Sequence, residues 1–197
     1  ATYNVNWGNG NTTNPPNGNW TSSQTYPLGI TQGTYTITNP NGCSATLNFN
    51  VFVGDVPLGG AVPITGTPIC TGQSITIEWN NFANNPPGTN YIVNWDDGSS
   101  DTLPHPPPTT ISHTYTTSSC DQADGEFTVF WEIINPCDDR TGQFNQIRVS
   151  EEPQASFSQS ADTVCINTTV TFTDTSTGAQ APQCATPNHV WSVTPAT

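Results

Sequence analysis

The strongest constraint on this chain is that it repeats itself. Tyr3-Asn4-Val5-Asn6-Trp7-Gly8-Asn9-Gly10 aligns with Tyr91-Ile92-Val93-Asn94-Trp95-Asp96-Asp97-Gly98, and His189-Val190-Trp191-Ser192-Val193 reads as a third copy, at Trp-to-Trp spacings of 88 and 96 residues. A period of that length marks an array of similar units. Gln24-Thr25-Tyr26 follows Trp7 by 17 residues as His113-Thr114-Tyr115 follows Trp95 by 18. Gly33-Thr34-Tyr35-Thr36-Ile37 is set against Gly125-Glu126-Phe127-Thr128-Val129, and Asn39-Pro40 against Asn135-Pro136. Cys70 ahead of Ile75-Thr76-Ile77 has its counterpart in Cys165 ahead of Val170-Thr171-Phe172. The boundaries repeat as well, at Val53-Gly54-Asp55-Val56-Pro57 and Val149-Ser150-Glu151-Glu152-Pro153. The expected organisation is the second half of one unit (1–54), a whole unit (55–152) and the first half of a further unit (153–197). With no initiating Met and no signal peptide in the sequence, the expectation is an internal fragment or a processed chain, such as a window on a longer array.

Each unit reads as strands. Successive strand residues face opposite sides, so Tyr91, Val93 and Trp95 share a face, as do Phe127, Val129, Trp131 and Ile133. Ile75, Ile77 and Trp79 alternate on another strand, and Leu47, Phe49, Val51 and Val53 on the strand that closes the first unit. Between them lie turns rich in Gly, Pro and Asn, which punctuate strands and disfavour long helices. Short alternating strands in units of this size predict an all-β chain of tandem immunoglobulin-like Greek-key sandwiches in an extended array, with the tryptophans in the cores.

Charge narrows the partners. Against 15 Asp+Glu stand two Lys+Arg, Arg140 and Arg148, for a net charge of -13. Nucleic acid is excluded, because phosphate binding needs cations to release counterions, and anionic membrane surfaces are disfavoured for the same reason. No segment approaches the roughly 20 apolar residues of a membrane span. The expected partners are other repeats of the same chain, with surface polysaccharide or substratum as outside targets.

Six cysteines, none in a CxxC pair, point to structural disulfides in an oxidising, extracellular compartment. A unit this small buries only about 60–65% of its unfolded surface, so covalent staples help. In immunoglobulin strand order Cys70 precedes the second strand and Cys120 the sixth, at one end of the sandwich, which makes them the candidate bridge. Cys43 and Cys137 fall in turns at the other end, as does Cys184 in its own unit. The partners expected for Cys43 and Cys165 lie in the missing halves.

Trp95-Asp96-Asp97-Gly98, His113-Thr114-Tyr115 and residues 125–129 together resemble the PKD (polycystic kidney disease) domain, whose hallmarks are a W-D-F-G-D-G strand and turn, an H-T-Y and a G-x-Y-x-V strand. Cys70-Thr71-Gly72 and the Asn-Pro-Asn-Gly-Cys turn at 39–43 are most similar to PKD-like repeats of Bacteroidetes cell-surface proteins, including gliding-motility adhesins of the SprB kind. The resemblance implies a secreted filamentous stalk exported by type 9 secretion. Departures are plain: Trp7-Gly8-Asn9-Gly10 carries no acids, the central copy lacks the F-G, and the third reads Trp191-Ser192-Val193-Thr194-Pro195.

No catalytic constellation stands out, so no enzyme is expected: His105, His113 and His189 have no nucleophile in an elbow and no zinc spacing. Asp96, Asp97 and Asp101 are candidate calcium ligands, since Ca²⁺ accepts six to eight oxygens from loops. The weaker acidic pairs are Asp121 with Asp124 and Asp138 with Asp139. Against a metal, a turn of this kind needs Asp and Gly for its own backbone geometry. No other cofactor is expected. The resemblance makes Thr102 and Thr163 candidate O-glycan sites, in Asp101-Thr102-Leu103 and Asp162-Thr163-Val164. Asn11, Asn19 and Asn167 head N-glycan sequons, which are used only in a eukaryotic secretory route.

The expected function is a structural and adhesive repeat segment of a large cell-surface filament, in gliding or attachment. The alternative is a spacer or carbohydrate-binding module of a secreted degradative enzyme, with Tyr3, Trp20 and Tyr26 as its exposed aromatics.

Overall fold

The computed structural model describes residues 1–16, 18–185 and 187–192; Val193, Thr194 and Pro195, counted above in the third copy, lie outside the described residues. Four strands open the chain, β1 (Thr2–Asn6), β2 (Thr12–Thr13), β3 (Gly29–Thr38) and β4 (Ser44–Val53), forming one antiparallel sheet in the order β2-β1-β3-β4. Nine follow: β5 (Gly60–Pro63), β6 (Ile69–Cys70), β7 (Ser74–Asn80), β8 (Asn90–Asn94), β9 (Ser100–Pro104), β10 (Thr110–Thr114), β11 (Phe127–Asn135), β12 (Asp138–Ile147) and β13 (Val149–Ser150). They build a sandwich whose two sheets run β10-β7-β5 and β12-β11-β8-β9, with a short parallel pair of β13 on β6 at one end. The crossing from β7 to β8 and back from β9 to β10 is the Greek-key connection of immunoglobulin-like domains.

The alternation read from the sequence is the core of this sandwich. Ile75, Ile77 and Trp79 of β7 face Tyr91, Val93 and Trp95, with Phe127, Val129 and Ile133 of β11 beside them, all 2% exposed or less. Trp131 packs at the margin, edge-on to Trp79 at 6.5 Å.

The first sheet repeats the second in strand order, with β2, β1, β3 and β4 in the places of β9, β8, β11 and β12. Its register corrects one of the sequence matches. Val5 pairs with Tyr35, whereas Val93 pairs with Trp131. Tyr35 therefore corresponds to Trp131, the phase that Asn39-Pro40 and Asn135-Pro136 already share. The glycine-aromatic match of 33–37 to 125–129 is four residues out; the counterpart of Gly125 is Gly29. Both take positive φ, 67° and 103°. The slip arises because two Gly-x-aromatic runs look alike, while the backbone pairs by the distance to the hairpin turn. Nor is the inward face of β4 closed as expected: Leu47 is 65% exposed, and only Phe49 of that face covers Trp7, edge-on at 6.0 Å.

Beyond residue 152 come β14 (Phe157–Gln159) and β15 (Phe172–Asp174), an antiparallel pair. The described residues of the third tryptophan copy, 189–192, lie in no strand; Trp191 instead sits 5.6 Å from Phe157 and 6.1 Å from Phe172, ring to ring. Strand pairing runs within 2–53, within 60–150 and, with two isolated bridges, within 154–185.

The candidate bridge from Cys70 to Cys120 is overturned. Cys120 is bonded to Cys184, 64 residues on, and Cys70 is a free, half-buried thiol. Both cysteines do lie at the same end, but β13 runs between them. It pairs with β6 on one side, and on the other its Val149 N–H donates to the Ser119 hydroxyl at 3.0 Å. In the short 3₁₀ turn Ser119–Asp121 it is thus Ser119 that points inward, fully buried, and its neighbour Cys120 that points away.

Candidate functional site

The acidic turn after β8 is a clasp. Trp95, at the end of β8, closes it with a backbone bond from its N–H to the Ser99 carbonyl at 3.1 Å. Asp96 and Gly98 take positive φ, 65° and 90°. Short side chains that bond locally tolerate this region, and glycine does so freely. The Asn94 amide oxygen accepts from Asp96 N–H at 3.0 Å, and Asp97 Oδ1 accepts from Ser99 N–H at 3.0 Å. Asp97 Oδ2 accepts from His113 Nε2 at 2.7 Å, and the imidazole stacks flat on Trp95 at 4.7 Å. Trp95 Nε1 donates to Asp101 Oδ2 at 2.7 Å, and Thr128 N–H donates to Asp96 Oδ2 at 2.8 Å. Beneath lies Tyr115, fully buried, whose hydroxyl donates to the Trp95 carbonyl at 3.0 Å.

The three carboxylates proposed for calcium are therefore each engaged by a different donor: backbone for Asp96, imidazole for Asp97, indole for Asp101. Among the described residues no three His, Cys, Asp or Glu side chains are grouped so as to hold a metal ion. Electrostatics agree with a structural pair. Burial pushes the Asp97 carboxyl up, but the Ser99 bonds and His113 reverse this and hold it below the ordinary carboxylate range. Burial, reinforced by Asp97 and Asp96, drives the Tyr115 phenol far upward.

The same clasp is built in the first sheet without charge. Trp7 N–H bonds the Asn11 carbonyl at 3.0 Å, Asn6 Oδ1 accepts from Gly8 N–H at 2.9 Å, and Asn9 Oδ1 accepts from Asn11 N–H at 3.1 Å. Trp7 Nε1 donates to Thr13 Oγ1 at 2.9 Å, in the place of Asp101. Asn9 Nδ2 donates to Gln24 Oε1 at 3.2 Å, where the central unit has Asp97 and His113. Gly8 replaces Asp96, because a Cβ there would run into the Gln32 carbonyl. The pairing is visible in the sequence as two matched columns, Asn9 over Asp97 and Gln24 over His113, flanking the aligned Trp and Tyr columns.

A second buried network was not anticipated. Asn85 Nδ2 donates to the Tyr91 hydroxyl at 2.7 Å, which bonds His105 Nδ1 at 3.0 Å, while Asn85 Oδ1 takes Leu58 N–H at 2.8 Å. Burial lowers the His105 pKa below its ordinary value. The third histidine, His189, pairs with Asp174. Trp79, 2% exposed, has an indole N–H without a partner.

Thr102 lies on the exposed side of β9, and Thr163 is exposed in the bend before Cys165. Of the aromatics named for carbohydrate, Tyr3 stacks on Tyr35 at 6.3 Å and Trp20 meets Trp7 edge-on at 6.2 Å, while Tyr26 is half-buried apart from them. They form no single row. Tyr3 occupies the repeat position of Tyr91, which the central unit buries completely. A cleft of about 1000 Å³ opens over the third segment, lined in part by Phe157, Phe172, His189 and Trp191.

No family model matches the chain, and no curated protein matches it. Among solved structures the chain is similar to the solution structure of the PKD domain from human VPS10 domain-containing receptor SorCS2, at 14% identity, over 68% of this chain and 97% of that one, with a TM-score of 0.41.

Proposed function

We propose that this chain is a structural repeat segment of a large extracellular surface protein, an adhesin stalk of the gliding or attachment kind, made of consecutive immunoglobulin-like units. The observation that supports it is the clasp. The residues with the greatest chemical potential, Asp96, Asp97, Asp101 and His113, are each committed to holding a turn, and a neutral Asn-Gln version holds the same turn in the first sheet. A binding or catalytic centre would not be replaced in its neighbour by amides that keep only its shape. The work of such a chain is mechanical. Each sandwich adds length along its strands at about 3.3 Å per residue, and stability is a sum of unit and neighbour contributions.

Small-angle scattering or electron microscopy of the full array tests this directly. A rod whose length grows with unit number is the expected result, and a compact globule would overturn it. The competing reading, a carbohydrate-binding module, draws on the partly exposed aromatics of the first segment, Tyr3, Trp20 and Tyr26. Glycan-array binding lost on Trp20→Ala would favour it; unchanged or absent binding favours the stalk.

A further inference from the structure

Two places where consecutive segments meet are built on one plan. At the first, the loop between β7 and β8 carries Pro86, Pro87 and Gly88 onto the first sheet. A Cβ added at Gly29 would lie 3.1 Å from the Pro87 ring, one at Gly54 would lie 3.2 Å from Pro86, and one at Gly88 would lie 2.8 Å from the Ile30 side chain. At the second, the loop after β15 does the same to the central unit. A Cβ at Gly125, the repeat counterpart of Gly29, would fall on the Pro182 carbonyl, and Ala181 N–H donates to Ser150 Oγ at 3.2 Å. Counterpart glycines, both at positive φ, thus receive a proline from the corresponding loop of the segment that follows. The joints differ in what secures them. The first has Ile30, 51% exposed, and Phe52 around the loop; the second has the bond from Cys120 to Cys184.

We infer that the loop after β7 of the central unit and its counterpart after β15 are each a plug seated on the glycine corner of the segment before it, packed by apolar side chains at the first joint and stapled by Cys120–Cys184 at the second. The partner surface is therefore the next copy of the repeat, and the joint fixes the angle between neighbours so that force passes along the chain without a hinge. Close approach by the loop, through the Pro87 ring at Gly29 and the Pro182 carbonyl at Gly125, explains why each corner is glycine: a Cβ there would press on the plug. This rests on the reading of the chain as consecutive units, but its tests are independent of what the array binds.

Trypsin has only Arg140 and Arg148 to cut, so denatured, thiol-blocked digestion yields 1–140 and 149–197 as the two large fragments. They are expected to stay joined without reductant and to separate with it, to separate in C184S, and to stay joined in C165S. Separation of the unreduced wild-type fragments, or a surviving link in C184S, overturns the staple. Backbone ¹⁵N relaxation on the intact chain reads the joints. In C120S/C184S the amides of β14 and β15 should fall from order parameters of about 0.85 to below about 0.6, and unchanged values overturn the staple. In Ile30→Asp the first sheet and the central sandwich should no longer fit one rotational diffusion tensor, and a retained common tensor overturns the packed joint.

Discussion

At the scale of single residues, the two versions of the clasp make a clean experiment. His113→Ala strips the proton donor from a carboxylate that is 11% exposed, and should cost the central unit about 1–3 kcal/mol. The double variant D97N/H113Q installs the pair that Asn9 and Gln24 already form, so urea unfolding should place it within about 1 kcal/mol of the parent. A double variant as weak as the single one would show that charge, not shape, holds the turn. The two core tryptophans separate in the same way. Trp95→Phe breaks a 2.7 Å bond to a carboxylate and should lose about 2–4 kcal/mol, whereas Trp79→Phe removes an indole N–H that has no partner, worth about 1–3 kcal/mol as an unmet donor, and should come out near neutral. Equal losses would refute the distinction. Acid titration of the central unit follows from the two lowered pKa values it holds, those of His105 and Asp97. His105 is held neutral by burial, so its contribution is complete above its unfolded value of about 6.5 and declines as pH falls toward the folded value. Asp97, depressed in the fold, contributes above an unfolded value of about 3.9 and loses that contribution as pH drops through the folded one. Stability should therefore fall in two steps on acidification, and H105Q should abolish the first alone; a single step in the parent sinks this assignment.

At the scale of strands, the aromatic-over-glycine pairs show what the sequence makes legible and what it hides. Alternation alone located Tyr91, Val93, Trp95, Ile75 and Ile77, because a strand with one buried face must repeat every second residue and these sites are sealed in the core. Register was another matter. Gly33 lies opposite Phe49 and Trp131 opposite Gly142, so large and small exchange strands between the two sheets. The motif therefore carried no phase, and the match of residues 33–37 slid by four. The clasp was half legible: the Trp, Gly and Tyr columns align in the sequence, while one-dimensional proximity of Asp96, Asp97 and Asp101 says nothing of where turn geometry aims them, and the fold gives each carboxylate a different donor. The disulfide was missed for a topological reason, since β13 threads between Cys70 and Cys120 only after the chain has closed its last strand. A Cβ at Gly142 would fall inside the Trp131 ring, so Gly142→Val should destabilise by about 1–3 kcal/mol through overpacking. Gly66→Ala, with nothing near its Cβ, should stay within about 0.5 kcal/mol. Similar midpoints for the two in thermal unfolding would show that the tryptophan moves aside without cost.

Over the whole molecule the three segments do not share one core. The buried apolar cluster belongs to residues 61–149, where two sheets close on each other. The first sheet has long ladders, ten paired residues between β3 and β4, yet one of its faces leaves Leu47 and Ile37 in solvent. The third segment has a three-residue pair and an aromatic trio of Phe157, Phe172 and Trp191, each about half exposed. Because opening free energy follows buried apolar contact and not hydrogen-bond number alone, native-state exchange should rank them. Amides of β14 and β15 should exchange first, those of β3 and β4 next, and those of β7, β8 and β11 last, at the global unfolding limit. Reduction of Cys120–Cys184 should accelerate the first class and leave the last unchanged, since Cys120 lies outside the core and Ser119, not the cysteine, anchors the turn to β13. Uniform protection across all three classes would mean that the segments unfold as one body, and that neighbour contacts dominate over the stability of each unit.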